Sequence, residues 1–316
     1  MTFTPKWKFD AVLAVVILIW FLGGRAIFPG PDLSVFLTEA SATLALLFLS
    51  AALCLGPLSR LWRPAIHVIY NRRHLGVTTW GLATFHSILV MHYAVHWKPA
   101  GFFLTLPGER FLGVPFPIYG AAALLILTAM AATSWDYFLH TWGPVGWKRL
   151  HMAVYVAYGL LVIHALTRFA SDEGPIPLKI AWPFFIVVGT VAGLHVAAAL
   201  KEARADRVAP ARANGLVPLG DFSDLTEGRA RPVFAGAERL AIVRLGGQLY
   251  ALSNVCPHQN GPLGEGCVRD GYLECPWHGY QFDPRTGLGP PGFSDRVPTY
   301  PIVTIDGITY LSPHPA

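Results

Sequence analysis

Two short segments each set a cysteine beside a histidine: Cys256-Pro257-His258 and, after a gap of sixteen residues, Cys275-Pro276-Trp277-His278. A zinc site usually pairs like with like, C-x-x-C and then H-x-x-x-H, because each knuckle grips one ion. Here each segment offers one soft thiolate and one neutral imidazole. That mixture suits two inequivalent irons, with both thiolates on one and both imidazoles on the other, which is one known ligand set of a [2Fe–2S] centre. Cys256, His258, Cys275 and His278 are therefore the candidate metal ligands. A second group of histidines lies in apolar sequence, where an ionisable side chain is costly and points to function by default. His86 follows Arg72-Arg73 by about fourteen residues, and His164 follows Lys148-Arg149 by about fifteen. Two helices rising 1.5 Å per residue in the same direction bring both imidazoles to one depth, where facing rings can take the two axial positions of a b-type haem. A hydrogen-bonded core histidine is the competing reading for either residue alone. The matched depth favours haem.

The elements that must position these residues divide into two kinds. Of 316 residues 53% are hydrophobic and only 14% are charged, and the apolar content concentrates before residue 200. Six stretches approach or exceed the spanning length of roughly 20 residues: 11–28, 35–55, 75–97, 118–139, 151–169 and 181–200. Lys6 and Lys8 before the first stretch resemble the start of a signal peptide, but no small-x-small cleavage site follows, so it is read as a span. The last hundred residues read instead as short strands. Residues 240–245 and 248–255 flank Gly246-Gly247, and residues 302–305 and 308–311 flank Asp306-Gly307. Both dipeptides tolerate the positive φ of a two-residue hairpin turn. The expected fold is a membrane all-α bundle of six transmembrane helices over residues 1–205, a linker at 206–214, and a small all-β domain over 215–316.

Basic residues set the expected orientation. Arg60, Arg63, Arg72 and Arg73 fall between the second and third stretches, Lys148 and Arg149 before the fifth, and Lys201, Arg204 and Arg207 after the sixth. The alternate loops, around Asp32, Glu109 and Asp172-Glu173, are less basic. The positive-inside rule then puts the C-terminal domain in the cytoplasm of a cell whose inner membrane holds the bundle. These loops account for much of the net charge of +5, so no nucleic-acid partner is implied. Two of the four cysteines are candidate ligands, Cys54 lies in a span and Cys267 has no evident mate, so no disulfide is expected.

The segments NVCPHQNGPLGEG and CPWHGYQFDPRTG, with GPPG at 289–292, resemble the Rieske ferredoxin family over about the last hundred residues. The resemblance implies a cluster at the tips of two loops, with residues 289–292 as a shielding third loop. Respiratory members join the two loops by a disulfide, where this chain has Gly261 and Trp277. They also set Ser and Tyr hydroxyls against the cluster, where this chain has Tyr280 and Phe282. Fewer hydrogen bonds to sulfur imply a low reduction potential. The segments NRRHLGVTTWGLATFH and GWKRLHMAVYVAYGLLVIH resemble the ferric reductase-like transmembrane family, and within it the haem-binding subunits of bacterial methionine sulfoxide reductase systems, over roughly residues 40–200. That resemblance carries haem ligation to His86 and His164, and an inner ligand to His151. Two-haem members hold a second histidine fourteen residues before the position of His86. This chain has Arg72 there and His74 two places on, and twelve positions turn a helix roughly 120° away from the His86 face. One haem or two, the second on His151 with His74, stays open.

The expectation is an oxidoreductase or electron-transfer subunit without its own flavin or nicotinamide domain, since no G-x-G-x-x-G follows a strand. A soluble cytoplasmic donor would reduce the cluster, the cluster the haem, and the haem an acceptor outside, with quinone among the candidates. Two alternatives remain: reversed flow from quinol or an outer donor to a cytoplasmic partner, and a redox sensor without net flux. His92 and His96 suit an interfacial cluster or an outer acceptor site, His195 a phosphate contact, and His67 and His140 loops.

Overall fold

The computed structural model describes residues 6–62, 65, 68, 71–93, 96–98, 110–169, 178–205, 215–235, 238–258, 261–277 and 279–312. The chain divides into two compact units, Met1–Ala197 and Ala198–Ala316. Seven α-helices are found among the described residues: α1 Lys6–Ile27, α2 Leu33–Leu61, α3 Arg72–Tyr93, α4 Phe116–Ala132, α5 Asp136–His151, α6 Val154–Phe169 and α7 Leu178–Ala205. Pro29 and Pro31 separate α1 from α2, because proline has no N–H to continue the ladder. Pro117 sits instead in the first turn of α4, where that N–H would have no partner anyway. Lys148 and Arg149 occupy the last turn of α5, complementing its negative dipole end.

Among the described residues four helical stretches are long and apolar enough to cross a membrane: Trp7–Ile27, Leu33–Leu61, Gly146–Thr167, which runs from the end of α5 into α6, and Trp182–Lys201. The expected six are thus not all found by length and composition. α3 is too polar, carrying His74, Thr78, Thr79, His86, Ser87 and His92. α4 has 17 residues and rises only about 26 Å. The fourth stretch was expected to run to residue 139, but it ends at Ala132, where Thr133 N–H and Ser134 Oγ bond back to Ala129 and Met130 carbonyls. The next residues form α5 rather than a loop, so His140 is helical and His151 closes α5. His67 and the linker 206–214 lie outside the described residues.

In the helical unit α2 packs along α3 and α4 along α6. Leu49, Leu53, Ala123, Leu127, Val154 and Ala157 form one buried cluster, which also takes in Tyr158. The Tyr158 hydroxyl meets Ser50 Oγ at 3.1 Å, so a polar pair inside the bundle is mutually satisfied. α1 adds Leu13 to a second cluster with Leu44, Phe48, Leu75 and Leu82. Trp20 Nε1 donates to the Ala40 carbonyl at 3.0 Å and ties α1 to α2.

Beyond the last turns of α7, the C-terminal unit is built of strands among the described residues. Apart from the short hairpin of β1 (Arg110–Phe111) and β2 (Val114–Pro115) in the helical unit, a four-stranded antiparallel sheet here has the order β10-β6-β5-β4, built from Thr299–Tyr300, Gln248–Ser253, Glu238–Leu245 and Ala230–Ala235. β11 (Ile302–Ile305), β12 (Ile308–Leu311) and β3 (Val217–Asp221) make a second sheet; β7 (Cys267–Arg269), β8 (Tyr272–Glu274) and β9 (Gln281–Phe282) make a third. Both expected hairpins form. Leu245 pairs with Gln248 across Gly246-Gly247, at φ 62° and 74°, and Ile305 pairs with Ile308 across Asp306-Gly307, at φ 50° and 80°.

Candidate functional site

The two cysteine loops of the C-terminal unit are built alike. Cys256 N–H donates to the Gly261 carbonyl at 3.0 Å, and Cys275 N–H donates to the Tyr280 carbonyl at 2.7 Å. Each loop is therefore closed at its base five residues after its cysteine. The Val255–Pro262 bridge pins the first loop, and β8 and β9 flank the second. Cys256 and Cys275 are buried in one core with Leu263, Leu273 and Phe282, and no disulfide joins them. Phe282 fills this core without a hydroxyl, as expected, whereas the Tyr280 ring stacks on His258 at 4.0 Å and 13°. The fourth candidate ligand, His278, lies outside the described residues.

Gly261 and Trp277, which stand where a disulfide would tie the loops, are packed against each other. A Cβ on Gly261 would fall 2.6 Å from Cys275 Sγ and 3.2 Å from Trp277 Cγ. Van der Waals contact thus replaces the covalent bridge. The 289–292 segment turns on itself, with Gly289 N–H on the Asp295 carbonyl and Gly292 at φ 92°, and it backs onto Gln281 beside Tyr280. The two buried thiols and the stacked imidazole, on short and tightly closed loops, are donors of the kinds that a [2Fe–2S] centre takes.

In the helical unit His86 lies on α3 and His164 on α6. Both are held in the same way. His86 Nδ1–H donates to the Thr38 carbonyl of α2 at 3.0 Å, and His164 Nδ1–H donates to the Phe116 carbonyl of α4 at 2.9 Å. A carbonyl can only accept, so Nδ1 carries the proton and Nε2 keeps its lone pair, as an iron ligand requires. α4 forms the socket of His164. Phe116 packs on the ring at 5.2 Å, and one turn on, a Cβ at Gly120 would stand 3.0 Å from His164 Cε1 and Nδ1. Gly120→Val is expected to push the imidazole out of place and cost about tenfold or more in haem affinity, the scale of outer-shell changes. Haem absorbance per protein checks it, with the helix content by circular dichroism unchanged.

The other sequence candidates are placed differently. His74 turns to α1, where its Nδ1 lies 2.6 Å from Asp10 Oδ1. His151 stacks on Trp147 at 3.7 Å and bonds its carbonyl through Nδ1 at 3.0 Å; its Nε2 is buried without a hydrogen bond. His195 accepts the Tyr155 hydroxyl at 3.1 Å, and His92 accepts Trp97 Nε1–H at 3.1 Å on the exposed end of α3. Sequence reasoning missed Gly120, Asp10 and both carbonyl acceptors. A glycine one turn inside an apolar helix was the available signal for the first; carbonyls leave none.

Comparison with known proteins follows the same division. The family model described as "Rieske [2Fe-2S] domain" matches residues 215–301, and that described as "Ferric reductase like transmembrane component" matches residues 41–162. The anthranilate 1,2-dioxygenase ferredoxin subunit of Burkholderia cepacia is 37% identical over 91 residues, 28% of this chain and 84% of that protein. Apoptosis-inducing factor 3 of Mus musculus is 39% identical over 64 residues, which is 20% of this chain but only 11% of that protein. Among solved structures, the complex of reduced oxygenase and oxidized ferredoxin in carbazole 1,9a-dioxygenase has a chain 30% identical to this one, covering 30% of this chain and 100% of that one, with a TM-score of 0.28.

Proposed function

We propose that this chain, which belongs to the Rieske [2Fe–2S] domain family and joins that domain to a ferric reductase-like transmembrane component, carries electrons from a soluble cytoplasmic reductant to an acceptor on the outer side of a cell inner membrane. Electron transfer in a multi-pass membrane protein is the general role both matches support. The finer assignment is ours. Cys256, His258, Cys275 and His278 hold the [2Fe–2S] centre, and His86 and His164 hold one b-type haem. When bound, each centre takes up and releases single electrons. α3 and α4 cross with the four stretches that qualify by length and composition, giving six spans, because the polar face of α3 is turned to a cofactor rather than to lipid.

The observation that carries this reading is the matched pair of imidazoles, each with its Nδ1–H committed to a carbonyl of a neighbouring helix. Such anchoring fixes both rings and leaves both Nε2 lone pairs for one iron. The Asp10 contact of His74 supports a single haem, since that imidazole is engaged on another helix. Basic residues at Arg60, Arg72, Arg73, Lys148 and Arg149 support a cytoplasmic inner end. His151, in the last turn of α5 with Lys148 and Arg149, belongs to that inner end and is the proposed entry point for electrons.

A stopped-flow experiment on the full chain tests the route. Reduced cluster should reduce the haem in wild-type protein, and His151→Ala should slow that step while the haem stays bound. Unchanged kinetics in the variant would remove the inward route, and wild-type protein whose cluster never reduces its haem would favour a redox sensor. A haem potential below that of the cluster would instead favour flow from an outer donor or quinol to a cytoplasmic partner.

A further inference from the structure

Trp277 occupies the position between Cys275 and His278, and packing explains only part of it. Its indole joins the core around Cys256 and Cys275, yet its Nε1–H is buried and meets no acceptor. Indole nitrogen is a donor and nothing else, so a buried indole normally finds an oxygen or sulfur. Elsewhere in this chain Trp20, Trp80, Trp97 and Trp147 each donate to a definite acceptor. Trp277 does not.

Its surroundings identify the missing acceptor. A Cβ at Gly261 would stand 2.6 Å from Cys275 Sγ and 3.2 and 3.3 Å from Trp277 Cγ and Cδ2. The five-membered ring that carries Nε1 and the candidate ligand sulfur therefore flank the same point. Cys275 Sγ does not accept from that nitrogen. The acceptors that a [2Fe–2S] centre would add here are its bridging sulfides. We infer that Trp277 donates its indole N–H to a bridging sulfide of the cluster, an inference that rests on the cluster assignment made above. A donor to sulfur stabilises the extra negative charge of the reduced centre and raises its potential. Trp277 then does two things: its ring face packs the loops together across Gly261, and its N–H supplies part of what absent hydroxyls at Phe282 do not.

Trp277→Phe separates the two, because it keeps an aromatic ring against Gly261 and removes the donor. In the full chain, the variant is expected to keep the Rieske EPR signal when reduced. Its reduced-to-oxidised ratio at a fixed solution potential should fall about tenfold, which is 59 mV for one electron. Pulsed EPR of wild-type protein in D2O should show exchangeable deuterons coupled to the cluster, those of the ligand imidazoles among them, and the variant should show one fewer. A variant with the signal, the potential and the deuteron coupling all unchanged would overturn the inference while leaving the cluster assignment intact. Wild-type protein without a Rieske signal would overturn the assignment and the inference together. Should the variant fail to assemble, wild-type protein labelled with indole-15N tryptophan decides the matter: a weak 15N coupling to the reduced cluster supports the hydrogen bond, and its absence removes it.

Discussion

His86→Ala and His164→Ala, made separately in the full chain, are each expected to abolish the same low-spin b-type haem spectrum. Either loss frees one axial face of the iron, and the remaining imidazole cannot restore the ligand field from its side alone. The variants should still fold. Alanine is the better helix former by roughly 0.5 kcal/mol, and each deleted ring gives up one bond to a carbonyl, of Thr38 or of Phe116, that sits within a helix. Haem per protein should fall more than about tenfold, in line with loss of a directly bound ligand being at least as costly as loss of an outer-shell partner. His74→Ala is the control. Its ring bonds Asp10 on α1, so the spectrum should remain. Full low-spin haem in either of the first two variants would leave the bundle without its proposed centre, and haem loss in the control would bring His74 back as a ligand.

His258→Ala should remove the Rieske EPR signal of the reduced protein and leave the haem absorbance in place. The imidazole iron loses one of two nitrogen ligands, and no other histidine is found among the described residues of the C-terminal unit to replace it. The haem candidates belong to the other compact unit, so their spectrum is an internal standard for folding. Tyr280 would lose the ring it stacks on, a contact worth about 0.5–1.5 kcal/mol, which the buried core of Leu263, Leu273 and Phe282 can absorb. The same outcome is expected for His278→Ala. A signal that survives both substitutions would refute the ligand set.

How much of this was legible depended on distance along the chain. The candidate cluster ligands could be proposed from sequence because each Cys-His pair is only three or four residues long, so both members belong to one short loop. The hairpins at Gly246-Gly247 and Asp306-Gly307 were likewise fixed by turn chemistry within a few residues. His86 and His164 could be proposed as a pair because helical rise is constant, so an expected depth follows from counting. The number of spans could not, since composition pulls α3 towards water while its packing against α2 keeps it in the bundle.

What only the tertiary structure decided lies across long separations. The acceptors that orient His86 and His164 come from residues 48 positions away, and they are backbone carbonyls, which every residue carries and no sequence pattern marks. The partner of His74 is Asp10, 64 positions away on a different helix. Face arithmetic alone could say where His74 does not point; it could not say what waits there. The contact of Trp277 with Gly261 and the burial of its N–H likewise depend on two loops meeting in space. Local spacing fixes which groups share a loop or a helix depth, because bond geometry acts within a turn; side-chain packing between elements fixes which atoms of those groups are left for chemistry.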